Sequence, residues 1–433
     1  MEEGDTKAYE IMGSKLKVVI VGAGFAGIHI ARGLEDRLFD VLLIDKINHH
    51  QFQPLFYQVA TSQLEPASIS FPIRHIFRNK KNIQIRLAEV IDLTPENNTL
   101  LTSIGSFKFD YLVIATGCTT NFYGNSSISR NSFPLKSTYD AILIRNHLLK
   151  TFEKIISAKD DAKEGLLNLV IVGAGPTGVE LAGAFAEIKR NILLRDYPGI
   201  DFSKLTIVLV EGSKNTLNGM SNLAKNSSRK YLGRMGVKII TETFVKNYDG
   251  VNIELSNGEF IKSKTVIWAA GITGNIISGL PDNSIGQGNR ILVDRYNRVS
   301  GSDNVYALGD VALMKTPKYP TGHPQVANVA INQAKNLAKN LTRKEKGKPL
   351  VEYEYRDLGS MATIGRNKAV VDFNFISLKG YFAWFIWMFL HLMLILSVKN
   401  KLIIFINWAW AYITKDTSLR LILSKQPHLD DQL

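Results

Sequence analysis

Hydrophobic residues run along this chain in three regimes. From Leu16 the sequence reads LKVVIVGAGFAGIHIARGLEDRLFDVLLID, an apolar run ending in glycines, then helical periodicity, then a second apolar run closing on Asp45. That order predicts a strand–helix–strand unit in a parallel sheet. The pattern returns from Leu167 as LNLVIVGAGPTGVELAGAFAEI, followed by LTIVLVEG. The shared VIVGAG marks a domain-scale duplication, not a short repeat. Strand-like runs follow: VKIITETFVKNYDGVNIEL, TVIWAAG and VYALGD. A Pro/Gly-rich loop, TPKYPTGHP, precedes a basic helical segment, QVANVAINQAKNLAKNLTRKEKGK, and a β-like patch, SMATIGRNKAVVDF. The third regime is apolar without a polar face: GYFAWFIWMFLHLMLILSV, then LIIFINWAWAYI.

The glycines give the first two regimes their chemistry. Gly22, Gly24 and Gly27 form G-x-G-x-x-G between a strand and a helix. The first allows a tight turn, the second lets backbone approach a pyrophosphate, and the third lets helix and strand pack closely. The phosphates then sit at the helix N-terminus, where free N–H groups favour negative charge. Asp45 stands 18 residues after Gly27, near the spacing of a ribose-binding acid. In the second copy, Gly173, Gly175 and Gly178 repeat the motif, and Glu211 is the candidate acid, 33 residues after Gly178. The extra length is accommodated by the loop RDYPGIDFSK. A glutamate there favours NADH over NADPH, while nearby Lys214 pulls the other way.

Two cradles imply two dinucleotides, and hydride exchange between a nicotinamide and a flavin is the natural chemistry for such a pair. YLVIATG (Tyr111 to Gly117) and VYALGD (Val305 to Asp310) support a flavin, with Asp310 placed to hold a ribityl hydroxyl.

Composition narrows the partners. The 433 residues are 45% hydrophobic with net charge +13, which suggests an anionic membrane or nucleic acid. The basic helix lacks interleaved aromatics, so nucleic acid is set aside. The single cysteine, Cys118, precludes an intramolecular disulfide and a cysteine metal cage, and is read as packing. The adjacent His49–His50 pair does not make a metal site. The acidic, polar first residues carry no apolar core of a leader, so no cleaved targeting segment is expected.

The stretches VIVGAGFAG, HHQFQPLFYQVAT, ATGCTTNFYG, VIVGAGPTGVELAGAFAE, WAAG, VYALGD, ANVAINQAKNLAKN and FINWAWAYIT, in this order, resemble the type II NADH:quinone oxidoreductases. These are non-pumping flavoproteins with two dinucleotide-binding domains. The resemblance implies an α/β fold in which residues 17–140 and 262–365 form a discontinuous FAD domain. An inserted NADH domain is expected over 141–261, and an apolar helical membrane-associating region over 366–433. It implies FAD against Gly22, Gly24, Phe25, Ala26, Gly27, Asp45 and Lys46. Ala115, Thr116, Gly117, Gly309, Asp310 and Ala327 complete that site, and Gln53, Pro54 and Tyr57 wall the isoalloxazine. NADH is expected against Gly173, Gly175, Thr177, Gly178, Glu180, Glu211, Ala270 and Gly271.

For quinone the resemblance implies a helix of the form A-Q-x-A-x-Q-Q, aligned with Ala327 to Gln333. Asn328 and Asn332 stand where the family usually has glutamine, so the reach of both amides is shorter. Gln325, one turn earlier, can compensate. Glu180 is the expected proton relay and Lys379 a second catalytic candidate, placed to stabilise quinolate charge or to mark a membrane edge. The sequence offers no transmembrane relay of buried acids, so no proton pumping is expected.

The apolar tail now acquires a reading. Tyr381 to Val398 would make a helix of about 27 Å, marginal for a hydrocarbon core of roughly 30 Å. Its companion Leu402 to Ile413, about 18 Å, is too short to return. The basic flanks Lys379, Lys399, Lys401, Lys415 and Arg420 show no one-sided bias, and Trp384, Trp387, Trp408 and Trp410 suit an interface. A monotopic surface on anionic lipid is therefore favoured over a single span or a buried dimer core. A homodimer at the cytoplasmic face of the cell inner membrane is expected. The competing readings are a reductase of a soluble electron carrier and an NADH-responsive signalling flavoprotein.

Overall fold

The computed structural model describes residues 15–416 and 419–422, without the side chains of 160–162. The expectation of no cleaved leader falls on residues 1–14, outside the described residues, as do the last residues of the expected 366–433 region.

Contacts divide the chain into two units. The first holds the described residues through His50, with Phe71–Thr119 and Ile272–Arg356. The second holds Gln51–Ser70, Thr120–Gly271 and the described residues from Asp357 onward. It thus gathers 51–70 and the C-terminal region with the second glycine motif.

In the first unit Leu16–Val21 is the central strand of a five-stranded parallel sheet. On one side lie Phe39–Asp45 and Ile83–Leu87; on the other lie Tyr111–Ile114 and Val305–Ala307. Helix Phe25–Gly33 packs on helix Ala327–Glu345. The second unit repeats the plan. Asn168–Val172 is central, with Thr206–Val210 and Val237–Ile240 on one side, and Thr265–Trp268 and Phe133–Pro134 on the other. The duplicated sequence therefore makes a duplicated sheet: in both copies the strand before the second glycine-containing turn, ATG or AAG, lies beside the first strand.

The second unit also carries the C-terminal region. Ser360–Gly365, Lys368–Asp372 and Ser377–Gly380 form an antiparallel sheet, and helix Tyr381–Leu394 packs on its middle strand. The nucleotide helix Pro176–Ile188 lies on the first of these strands. At Gly183 the approach is so close that a Cβ would overlap the Ile364 carbonyl oxygen. Gly183→Ala should therefore destabilise by about 1–3 kcal/mol, read as a lower thermal midpoint, as overpacking at a backbone contact does.

One expectation is corrected. The run Tyr381 to Val398 is not a single helix. It stops at Leu394, Ile395 turns extended and is buried, and a second helix runs Val398–Thr414. No glycine or proline causes the break. Burial of the Ile395 side chain holds the chain in an extended turn. Among the described residues no helix is long and apolar enough to cross a membrane.

Candidate functional site

In the first unit the central strand empties into Gly22 at φ +100°, a left-handed value that favours glycine. A Cβ there would overlap the Ala115 carbonyl oxygen, and one at Gly27 would overlap that of Gly22. Gly24, in contrast, faces open space. The turn is thus tight on the protein side and open above the N-terminus of the helix that Phe25 and Ala26 begin. Asp45 does more than wait for a ribose: its Oδ2 accepts Ala23 N–H at 2.6 Å and its Oδ1 accepts Ile47 N–H at 2.9 Å. Burial raises its pKa, while those N–H groups and Lys46 hold it down. Lys46 itself is exposed. Behind the turn, His50 Nδ1 lies 3.0 Å from the Ala23 carbonyl and Phe25 meets its ring edge-on at 5.1 Å. Burial lowers the pKa of His50 to about 4, so it braces the turn as a neutral imidazole.

The same unit joins the other flavin-motif residues. Tyr111–Ile114 runs into Ala115, Thr116 and Gly117, and the Thr116 hydroxyl donates to the Asn275 carbonyl. Gly309 sits at φ +71° against Ala330 and Ala26, and its N–H donates to Gln333 Oε1 at 2.8 Å. Gln325 Nε2 donates to the Asp310 carbonyl at 3.0 Å, and the Cys118 thiol donates to the Asp310 carboxylate at 3.0 Å. Cys118 is thus a partner of Asp310 rather than filler. On the helix that Ala327 opens, Asn332 Nδ2 donates to Asn328 Oδ1 at 2.7 Å. The two shortened amides engage each other, and Gln325 is committed to the Asp310 turn.

The second unit reproduces the cradle. Gly173 has φ +100°, Gly175 faces open space, and a Cβ at Gly178 would overlap the Gly173 carbonyl oxygen. Glu211 grips this turn as Asp45 grips the first: Oε2 accepts Ala174 N–H at 2.6 Å and Oε1 accepts Ser213 N–H at 2.7 Å. Thr177 is exposed in the first helical turn. Two exposed rings flank this cradle, and sequence reasoning missed both. Tyr123 donates to the Ala270 carbonyl at 2.8 Å, beside Gly271, and the Phe244 ring lies over Gly212. Tyr123 carried a signal in sequence, an aromatic before Gly124 in NFYG, whereas Phe244 reaches Gly212 only through the fold.

A cavity of about 130 Å³ opens in the second unit. Its walls come from distant segments: Tyr57 and Gln58, Glu180 and Glu187 on the nucleotide helix, Thr363 and Arg366 on the hairpin, and Trp384, Trp387, Trp408 and Tyr412 on the last two helices. Trp408 Nε1 donates to Gln58 Oε1 at 2.7 Å, and Gln58 Nε2 donates to the Tyr57 hydroxyl at 2.8 Å. Glu180 Oε1 accepts the Thr363 N–H at 3.3 Å. Burial pushes the Glu180 pKa up to about 8, with Thr363 N–H and the Trp387 indole pulling the other way. Trp387 is 2% exposed, and its indole N–H faces the Glu180 carboxyl at the limit of hydrogen-bond geometry. Burial and the Glu180 charge hold Tyr57 well above its usual pKa.

Tyr57, expected as a wall of the isoalloxazine, and Glu180, expected as a proton relay, meet in this cavity. Lys379 does not; it is exposed on the strand Ser377–Gly380, opposite Val370. Gln53 and Pro54 form a short 3-10 turn leading into the helix Phe56–Ala60 that carries Tyr57. The tryptophans correct the interfacial expectation. Trp384, Trp387 and Trp408 turn inward to the cavity, and Trp410 alone of the four is strongly exposed. What faces outward is a stripe of Phe382, Phe385 and Phe389 on one helix, and Leu402, Ile406 and Ile413 on the next.

The profile of the pyridine nucleotide-disulphide oxidoreductase family matches residues 16–334, and that of the NDH2 C-terminal domain matches residues 358–415. The chain is 31% identical to type II NADH:quinone oxidoreductase Ndh of Mycobacterium tuberculosis, over 92% of this chain and 88% of that protein. Its fold is similar to that of NDH2 from Plasmodium falciparum, solved in complex with NADH, with TM-score 0.86 at 21% identity over 95% and 100% of the two chains. It is also similar to sulfide:quinone oxidoreductase of Aquifex aeolicus, with TM-score 0.72 at 20% identity over 90% and 92%. The duplicated cradles, the acids that grip them and the C-terminal sheet with its helices are one pattern, and by it the chain belongs to the type II NADH:quinone oxidoreductase family.

Proposed function

We propose that this protein oxidises NADH and reduces a membrane quinone to quinol without moving protons across a bilayer. In this reading the first unit holds FAD and the second receives NADH. The observation that carries it is the cavity beside the second cradle, apolar-walled yet holding a carboxyl that burial keeps protonated near neutral pH.

The first cradle fits a dinucleotide by its own geometry: Gly24 leaves space above a helix N-terminus, and Asp45 is fixed by backbone N–H groups with lone pairs to spare. Gly22, Gly24, Gly27 and Asp45 would hold FAD there, and the bound flavin would supply the chemistry of accepting hydride and passing on two electrons. Cys118 holds the Asp310 carboxylate and Gln325 its backbone carbonyl, so Asp310 would be the residue that holds a ribityl hydroxyl. Glu211, pinned by Ala174 and Ser213, presents its remaining lone pairs to ribose hydroxyls and disfavours a 2′-phosphate; this supports NADH as donor. In the cavity Glu180, beside the buried Trp387 indole, offers a proton to a quinone oxygen. The outward stripe of phenylalanine, leucine and isoleucine suits burial in a lipid surface, with the exposed Lys399 and Lys415 at headgroup level. This supports peripheral attachment, at the cytoplasmic face of the inner membrane in our reading.

Anaerobic stopped-flow spectroscopy of the FAD-loaded protein tests it. NADH should bleach the flavin band and a soluble quinone analogue should restore it. A flavin that NADH leaves oxidised, or that quinone leaves reduced, would refute the assignment.

A further inference from the structure

Each turnover of the proposed reaction converts NADH, one solvent proton and quinone into NAD+ and quinol. One proton must therefore reach an apolar cavity from water, and Glu180 is itself buried.

Seven residues further along the same helix, Glu187 lines the same cavity. Seven residues are about two turns, so the two carboxyls share a face roughly 10 Å apart. Glu187 stands where the lining becomes polar, with Asn191, Arg366, Asp416 and the exposed Lys415. Its Oε1 accepts the Arg366 N–H in the turn between the hairpin strands, and the Arg366 guanidinium lies 3.9 Å over the Tyr412 ring. The carboxyl is thus fixed between an open, charged end and the closed end that holds Glu180 and Tyr57.

Resting on the quinone-reductase reading, we propose that Glu187 is the port through which the solvent proton of each turnover enters the cavity. Its O–H bond breaks as the proton passes inward, through cavity water and Glu180, to a quinone oxygen that has taken up the electron pair. The carboxylate left behind is reprotonated from water at the Lys415 end. The charged and titratable groups facing Glu187 are Arg366 and Lys368 from the hairpin, Arg190 just past the end of its own helix, Tyr57 from the short helix, and Lys415 and Asp416 just past the last helix. Burial raises the Glu187 pKa, and the Arg366 N–H together with the charges of Lys368, Arg366 and Arg190 restrains it.

Glu187→Gln tests this, because glutamine keeps the oxygen that accepts the Arg366 N–H and loses only the proton. The holoenzyme variant should melt with the wild type and be reduced by NADH at a rate within two-fold. Its reoxidation by quinone should slow ten-fold or more, with a larger solvent deuterium isotope effect, and Glu187→Asp should recover part of the rate. The pH profile of reoxidation should also lose its dependence on the Glu187 carboxyl. Unchanged reoxidation with an unchanged pH profile overturns the proposal, as does an equal loss in both half-reactions, which marks a structural role. A wild type that quinone cannot reoxidise refutes the functional reading beneath it instead.

Discussion

Glu180→Gln should lower the rate of quinone-driven flavin reoxidation by about 10²–10⁴-fold, the usual worth of a positioned general acid. Reduction of the flavin by NADH should change little, so the two half-reactions separate in stopped flow. In the wild type, reoxidation should fall as pH rises through about 8, where the buried carboxyl loses its proton, and the variant should lack that limb. Stability should move the opposite way. A carboxyl whose folded pKa is about 8 against an ordinary 4.5 binds more protons folded than unfolded in that interval. Its stabilisation is complete below 4.5 and is lost as pH rises through about 8. Glutamine carries no such dependence, so the variant should gain on the wild type by at most about 1.4 kcal/mol per pH unit across the interval. Thermal midpoints of both proteins at several pH values measure it. Equal pH slopes would mean that Glu180 is solvated. A residue whose removal costs activity and adds stability is one held under strain for its chemistry.

The parts of this molecule that sequence made legible are those whose requirements are local. Gly22 and Gly173 need a left-handed φ, Gly27 and Gly178 need the absence of a Cβ, and each sits at a fixed offset from a strand. Asp45 and Glu211 were legible as acids at strand ends, but not their grip on Ala23 and Ala174, because a backbone N–H leaves no mark in sequence. The cavity was legible only through Glu180 and Tyr57, and not as a cavity. Its walls come from five separated segments, and nothing in WFIWMFLH distinguishes Trp387, which is buried, from an interfacial tryptophan. The break at Ile395 was hidden for the same reason: it answers to a buried side chain, not to a helix breaker. The amide helix shows the reverse case. Asn328 and Asn332 invited a quinone role by alignment, yet their spacing of four residues lets them bond each other. Deleting everything after residue 379 would remove Trp387 and Trp408 from the cavity along with the apolar stripe, so truncation cannot separate docking from chemistry.

The duplicated cradles allow a sharper separation. Gly27→Ala and Gly178→Ala place the same methyl group against the same carbonyl, of Gly22 in one case and of Gly173 in the other. Each should push a nucleotide helix off its strand and close the approach that a pyrophosphate needs. If the first cradle holds FAD, Gly27→Ala should purify colourless or lose flavin on dilution, with turnover falling in proportion to the flavin lost. Gly178→Ala should stay yellow, with a normal absorption band, while NADH no longer bleaches it at concentrations that saturate the wild type. Dithionite should still reduce that flavin and quinone should still reoxidise it, because neither reagent uses the second cradle. Circular dichroism of both variants guards against general unfolding. Flavin loss from Gly178→Ala with retention in Gly27→Ala would reverse the assignment of the two units. Equal behaviour of the two variants would mean that the cradles are not specialised, and the chemical asymmetry would then have to come from Asp310 and its partners Cys118 and Gln325, which have no counterpart assigned in the second unit.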